Sequence, residues 1–295
     1  MTTLPLKAKD FRSGIEPVWC TGCGDYGVLK GLTQALADVE VAPDRLAVIS
    51  GIGCSSRLPG YTRSYAFNSI HGRALPIASG LKIARPEITT IVVGGDGDGF
   101  SIGLGHLPHA IRRDIDLTYA VLDNGIYGLT KGQASPTTAT EFKRERGLAG
   151  VDERPLNPVL LVLSAGCGFV ARTHAGNLPH LRAMLGEAIR YPGFAFVHVL
   201  AACVTYQTPS YAQTIYERCD VVGEEHDPTD LERAMALARD ERFKLGVLYR
   251  REPGVKPDVL PEGQDVAPDV WAPEAEAGGA PLATDRGADA EFPGG

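Results

Sequence analysis

No apolar run in this 295-residue chain approaches the roughly 18 residues that a membrane-spanning helix needs. The start, Met1-Thr-Thr-Leu-Pro-Leu-Lys7, lacks the basic segment and long apolar stretch of a secretory signal. Basic charge is not in excess either. Residues 1–253 hold 27 acids and 27 bases, and the net charge of −7 comes entirely from 254–295, with nine acids and two bases. Phosphate neutralisation needs clustered Lys and Arg, so neither a nucleic-acid nor a membrane partner is expected. These absences leave a cytoplasmic globular protein as the expectation, its six cysteines being thiols or metal ligands rather than disulfides.

What is present alternates. After a polar arm, Val28, Leu32, Ala35, Leu36 and Val39 recur at helical spacing and predict a helix over 26–39. Apolar or β-branched runs predict strands at 46–50, 88–93, 117–122, 160–165, 169–171 and 194–200. Helices are expected at 76–84, 102–112, 178–191 and 231–240, the last preceding the apolar segment 243–249. Strands alternating with helices, each strand ending in a Gly-, Asn- or Ser-rich loop, indicate an α/β fold with a doubly wound, mostly parallel sheet. Such sheets bind ligands at the carboxyl ends of their strands. One domain is expected over 1–250. Residues 251–295 read as an acidic tail, disordered or laid over a partner, since Pro and Gly supply 13 of the 42 residues from 254 onward.

The run Ile91-Val-Val-Gly-Gly-Asp96-Gly97-Asp98-Gly99 takes a strand into a glycine-rich turn. Backbone amides at such a turn suit a dinucleotide, but two carboxylates in the loop would repel a bare pyrophosphate. A divalent cation reverses that logic: the carboxylate holds the metal and the metal holds the diphosphate. A second oxygen donor should come from the neighbouring strand end. There stands Asp123-Asn124-Gly125-Ile126-Tyr127-Gly128, with Asn124 28 positions beyond Asp96. Each loop alone is a routine connector; together, after consecutive strands, they favour a metal–diphosphate site.

Trp19-Cys20-Thr-Gly-Cys23 holds a C-x-x-C pair that suits half a zinc site, a redox dithiol or half an iron–sulfur site. Cys54, in Gly51-Ile-Gly53-Cys54-Ser55-Ser56, and Cys203 each follow a predicted strand on the ligand-binding edge. Cys167 reads as a small core residue and Cys219 as a partly buried helix residue. No histidine pair has zinc spacing, and zinc stays open as the rival on residue type alone. The basic run 142–146 reads as a solvated face or partner surface.

Gly95-Asp96-Gly97 followed by Asn124 resembles the Mg-diphosphate motif of thiamine diphosphate enzymes. The wider text, Gly95-Asp-Gly-Asp-Gly-Phe-Ser-Ile-Gly103 with Leu122-Asp-Asn-Gly-Ile-Tyr-Gly-Leu-Thr-Lys-Gly-Gln-Ala-Ser-Pro-Thr137, resembles the β subunit of 2-oxoacid:ferredoxin oxidoreductases. The resemblance runs through about 11–250 and implies a thiamine diphosphate-binding, pyrophosphate-domain type of fold. It implies that Asp96, Asn124 and the Ile126 carbonyl bind Mg²⁺, with Gly97, Asp98, Gly128 and Leu129 near the diphosphate. Gly53, Cys54, Ser55, Ser56, His71 and Gly72 would also lie at the cofactor. Cys20, Cys23, Cys54 and Cys203 would hold a 4Fe–4S cluster, and His71 and Lys131 would be catalytic, Lys131 near the substrate carboxylate.

The implied reaction is oxidative decarboxylation of 2-oxoglutarate with CoA to succinyl-CoA and CO₂, reducing ferredoxin, or its reverse. Pyruvate or a branched-chain acid is the alternative substrate. No pyrimidine-binding unit is visible, so an α subunit that brings it and the CoA-binding parts is expected, in an αβ or α2β2 assembly. Two rivals keep different chemistry: a non-redox thiamine carboligase or decarboxylase subunit with structural zinc, and a nucleotide-binding scaffold.

Overall fold

The computed structural model describes residues 5–140, 153–207, 214–253 and 255. The strands are β1 (Leu46–Ser50), β2 (Tyr65–Asn68), β3 (Thr89–Gly95), β4 (Leu117–Asp123), β5 (Ile126–Tyr127), β6 (Gln133–Ala134), β7 (Phe169–His174), β8 (Phe194–Leu200), β9 (Cys219–Val221) and β10 (Phe243–Arg250). The helices that position the site are α1 (Gly24–Asp38), α2 (Ala74–Ala84), α3 (Leu107–Arg112), α4 (Pro158–Ser164), α5 (Leu178–Arg190) and α6 (Leu231–Arg239).

Eight strands form one sheet in the order β2-β1-β3-β4-β8-β7-β10-β9. All neighbours are parallel except β10 against β7. β1, β4 and β8 are buried along their whole length, as strands covered on both faces must be. Helices α1 and α5 cover one face of the sheet, and α2, α3, α4 and α6 the other. The chain runs from β1 outward to β2, then returns to β3 on the opposite side of β1. The crevice where these connections diverge, at the carboxyl ends of β1 and β3, is the topological switch point.

The expected mostly parallel doubly wound sheet is what forms, with local departures. Residues 160–165 lie mainly in α4, not in a strand. Asn157 caps that helix by accepting from Leu160 N at 3.1 Å, and Pro158 occupies its first turn; a short apolar run cannot by periodicity distinguish a buried helix from a strand. The helix expected over 102–112 breaks into a π turn at Asp98–Ile102, a 3₁₀ turn at Leu104–His106 and α3. Pro108 has no amide to continue a helix begun at Ile102. The edge strand β2 has no counterpart among the expected strands, and all four of its residues are exposed.

The N-terminal arm is docked rather than free, with Phe11 fully buried against α1. Cys219 begins β9 instead of lying in a helix, whereas Cys167 is a fully buried core residue. The run 142–146 lies outside the described residues, as does nearly all of 251–295. Arg251 packs back onto the body, donating to Gly166 O at 2.9 Å and Asp114 Oδ2 at 3.0 Å. By contacts the chain divides into units Met1–Pro257 and Asp258–Gly295, the second outside the described residues. Among the described residues no helix is long and apolar enough to cross a membrane.

Candidate cofactor site and cysteine group

Register places the chemistry on one edge. Gly95 pairs with Leu122 and Asp123 with Leu200, so Asp96, Asn124 and Ala201 each begin the loop after three adjacent strands. Asp96 is buried; its Oδ1 accepts the Asn124 amide at 3.3 Å and its Oδ2 the Thr137 hydroxyl at 3.0 Å. That hydroxyl also lies 2.8 Å from Asp123 Oδ1, so two carboxylates compete for one proton. Burial first, and then the charge of Asp123, push Asp96 up to about 7. A cation at this point would relieve that repulsion.

Asp123 is held from below. Its Oδ2 accepts from His198 Nε2 at 2.8 Å, and Arg172 Nε donates to His198 Nδ1 at 3.2 Å. Arg172 can only donate, so the His198 proton sits on Nε2 and the ring is neutral; burial lowers its pKa in the same direction. The turn after β4 is self-bracing, with Asn124 Oδ1 accepting from Ile126 N at 3.0 Å and Asp123 Oδ1 from Gly125 N at 3.0 Å.

Asp98 ties loops together. Its Oδ1 accepts the amides of Ile52 at 2.9 Å and Gly72 at 2.8 Å and the His71 Nδ1 proton at 2.8 Å. One carboxylate oxygen thus pins the loops after β1 and β2 and orients His71, whose ring meets Tyr127 edge-on at 6.2 Å. Gly72 has φ +71°, and a Cβ there would lie 2.6 Å from Gly103 N.

Between these loops lies a cavity of about 310 Å³, a size suited to a cofactor. It brings together Gly53, Cys54, Ser55, His71, Asp96, Gly97, Asp98, Asn124, Ile126, Gly128 and Leu129, with Asp25. Ser56, Gly72 and Lys131 do not line it. The carbonyl of Ser56 braces the β1 loop by accepting from Ser50 Oγ at 2.8 Å and Asn68 Nδ2 at 3.0 Å. Lys131 is exposed at left-handed φ of 78°. One feature fits a diphosphate: the Ser55 hydroxyl is buried with no partner among the described residues. At Gly97 a Cβ would lie 2.2 Å from the Tyr127 ring, so only glycine lets that ring close on the loop.

The cysteines converge on the same edge. Burial, the Asp25 charge, Cys203 and Cys20 raise Cys54 to about 11. Burial, Asp25, Cys54 and Cys203 raise Cys23 further still. A Cβ on Gly128 would lie 3.7 Å from Asn124 Nδ2, 3.8 Å from Cys203 Sγ and 3.9 Å from Cys54 Sγ, so the cation turn and two of the sulfurs share one corner. Among the described residues no three His, Cys, Asp or Glu side chains form a ready-made site for a single metal ion. Cys20 is exposed, and Cys23, Cys54 and Cys203 are half-buried.

Sequence reasoning missed Asp25 and Gln207. Asp25 is buried two residues past Cys23 and pushed up to about 6 by burial; its adjacency to the C-x-x-C pair was the available signal. Buried Gln207 donates through Nε2 to Asn124 O and accepts the Cys203 amide on Oε1 at 3.2 Å. One side chain thereby bridges the cation turn and the cysteine loop.

Residues 51–199 match the family described as thiamine pyrophosphate enzyme, C-terminal TPP binding domain, so the fold is that of a thiamine diphosphate-binding domain. Residues 203–258 match the family described as the C-terminal part of the pyruvate ferredoxin oxidoreductase beta subunit. A 2-oxoacid:ferredoxin oxidoreductase subunit beta from Aeropyrum pernix is 38% identical over 81% of this chain and 82% of its own length. The 2-oxoglutarate oxidoreductase subunit KorB of Mycobacterium tuberculosis is 43% identical over 71% of this chain and 56% of its own. A solved 2-oxoglutarate:ferredoxin oxidoreductase from Magnetococcus marinus, with 2-oxoglutarate, coenzyme A and succinyl-CoA bound, superposes with a TM-score of 0.83 at 39% identity, covering 86% of this chain and 88% of that one. The chain belongs to the β subunits of the 2-oxoacid:ferredoxin oxidoreductases.

Proposed function

We propose that this chain, paired with an α subunit, oxidatively decarboxylates 2-oxoglutarate. In the balanced reaction, 2-oxoglutarate, CoA and two oxidised ferredoxins give succinyl-CoA, CO₂, a proton and two reduced ferredoxins. Asp96, Asn124 Oδ1 and the Ile126 carbonyl hold Mg²⁺ against a diphosphate, and Cys20, Cys23, Cys54 and Cys203 hold a 4Fe–4S cluster. When bound, thiamine diphosphate supplies the carbon nucleophile and electron sink for loss of CO₂, and the cluster supplies a one-electron outlet. Asp98 orients the His71 ring at the cavity by accepting from its Nδ1–H at 2.8 Å. Ser55 offers there a hydroxyl with no partner among the described residues, and Gly97 lets the Tyr127 ring pack against the loop. The α subunit supplies the pyrimidine-binding and CoA-binding parts, and the complex works in the cytoplasm.

The observation that carries this reading is the corner at Gly128, where Asn124 and the sulfurs of Cys54 and Cys203 meet. The relatives named for 2-oxoglutarate support the substrate. Pyruvate is the second reading, favoured by the family matched at 203–258. Assay of the purified αβ complex with each acid tests the choice: 2-oxoglutarate should give the highest kcat/KM, and faster turnover of pyruvate would overturn it.

A further inference from the structure

The described body has a cationic face that the reaction chemistry above does not use. Residues 5–23 and 54–63 carry Lys7, Lys9, Arg12, Arg57 and Arg63 against only Asp10 and Glu16, although 1–253 as a whole is neutral. The two segments are stitched together. Arg12 bridges Thr62, the Arg63 amide donates to Phe11 O at 2.9 Å, and that of Ser13 to Tyr61 O at 3.1 Å. All five cations are exposed, and among the described residues none has an ion-pair partner.

The same face carries the cysteine loops. The Arg57 amide donates to Cys54 O at 3.2 Å. Trp19, beside exposed Cys20, stacks edge-on against Tyr61 at 4.8 Å and donates its indole N–H to Cys54 O at 2.8 Å. Ile15 and Val18 stand 59% and 66% exposed on the same arm. Two exposed apolar side chains on an arm whose exposed cations outnumber its acids suit a transient partner, since charge speeds the encounter and little buried area lets it leave.

We infer that this face, Lys9, Arg12, Arg57 and Arg63 around Ile15 and Val18, is the docking site of an acidic one-electron carrier protein of the ferredoxin kind. The inference rests on the proposed function. Oxidising a 2-oxoacid to its acyl-CoA and CO₂ releases two electrons and one proton, so a one-electron carrier docks twice per turnover, arriving oxidised and leaving reduced. Fast release is therefore as useful as fast capture.

The test uses the αβ complex and an acidic ferredoxin, with binding of the oxidised carrier measured in the absence of substrate. Arg12→Glu/Arg63→Glu should raise Kd at least about tenfold at low ionic strength and flatten its salt dependence. Arg12→Lys/Arg63→Lys should stay near the parent, and turnover with methyl viologen should be unchanged in both. An unchanged Kd and salt slope in the charge-reversed complex would overturn the inference. So would failure of that variant to assemble with its partner subunit, which would assign the face to the subunit interface. Iron and sulfide are measured first in the parent complex: their absence refutes the cluster reading itself, whereas full iron with unaltered carrier affinity refutes only the docking face.

Discussion

The two halves of the site are built differently. Around Asp96 and Asp98 the polypeptide fixes its own geometry: Asp98 Oδ1 takes three donors, Asp123 is braced by His198, Thr137 and Gly125, and Asn124 by its own turn. The cysteine half is drawn from three distant segments, with one sulfur exposed and three half-buried. Preorganised donors suit a cofactor that must be oriented to fractions of an ångström, whereas a metal centre supplies much of its own organisation when it binds. The first half should therefore survive loss of the second, and the reverse should hold as well.

The strongest attack on the first half is Asp96→Ala. Thiamine diphosphate affinity in the presence of Mg²⁺ should fall at least about 100-fold by calorimetry, while iron per chain stays at the parent level. His198→Ala strikes the bracing instead. It leaves Asp123 Oδ2 without its buried donor and opens a cavity, so unfolding should become easier by about 3 kcal/mol in a denaturant titration.

pH separates the halves more gently. With Asp96 raised to about 7, the cofactor-free folded protein keeps a proton that the unfolded chain loses near pH 4. Stability without cofactor should then fall as pH climbs from about 4 to about 7. Mg²⁺-dependent thiamine diphosphate binding, which needs the carboxylate, should tighten over the same upper range, by up to about tenfold per unit below pH 7. Calorimetry at pH 6 and pH 7.5 checks the sign.

Gln207→Ala breaks the comparison where the halves touch. Losing the bridge from Asn124 O to the Cys203 amide should weaken thiamine diphosphate binding about fivefold, the worth of one net hydrogen bond. Iron retention during gel filtration should also decline. Loss of only one of the two would show that the bridge serves one half alone.

The sheet's centre was legible because β1, β3, β4 and β8 are apolar or β-branched runs closed by loop residues, and a strand buried on both faces can hardly be written otherwise. The exposed edge strand β2 carries no such mark, and α4, apolar on all sides of a short run, imitated a strand. At the site, Asp96, Asn124, Cys54 and Cys203 follow strand ends, where topology confers meaning on sequence position, and Cys20 and Cys23 announce themselves by their C-x-x-C spacing at the start of α1. The bracing was not legible. Asp98 looks like a second cofactor carboxylate until the loops of Ile52 and Gly72 close on it, and the His198–Asp123 contact joins residues 75 positions apart. Gln207 and Asp25 acquire roles only from what packs beside them, and the cationic face appears only when 5–23 and 54–63 are folded together.

The most direct measurement is iron, acid-labile sulfide and thiamine diphosphate content of the anaerobically purified αβ complex, parent and Cys203→Ser. The account predicts about four irons and four sulfides per chain in the parent, and in the variant loss of the iron with thiamine diphosphate retained. Zinc in place of iron, or a Cys203→Ser complex with its full complement of iron, would contradict it.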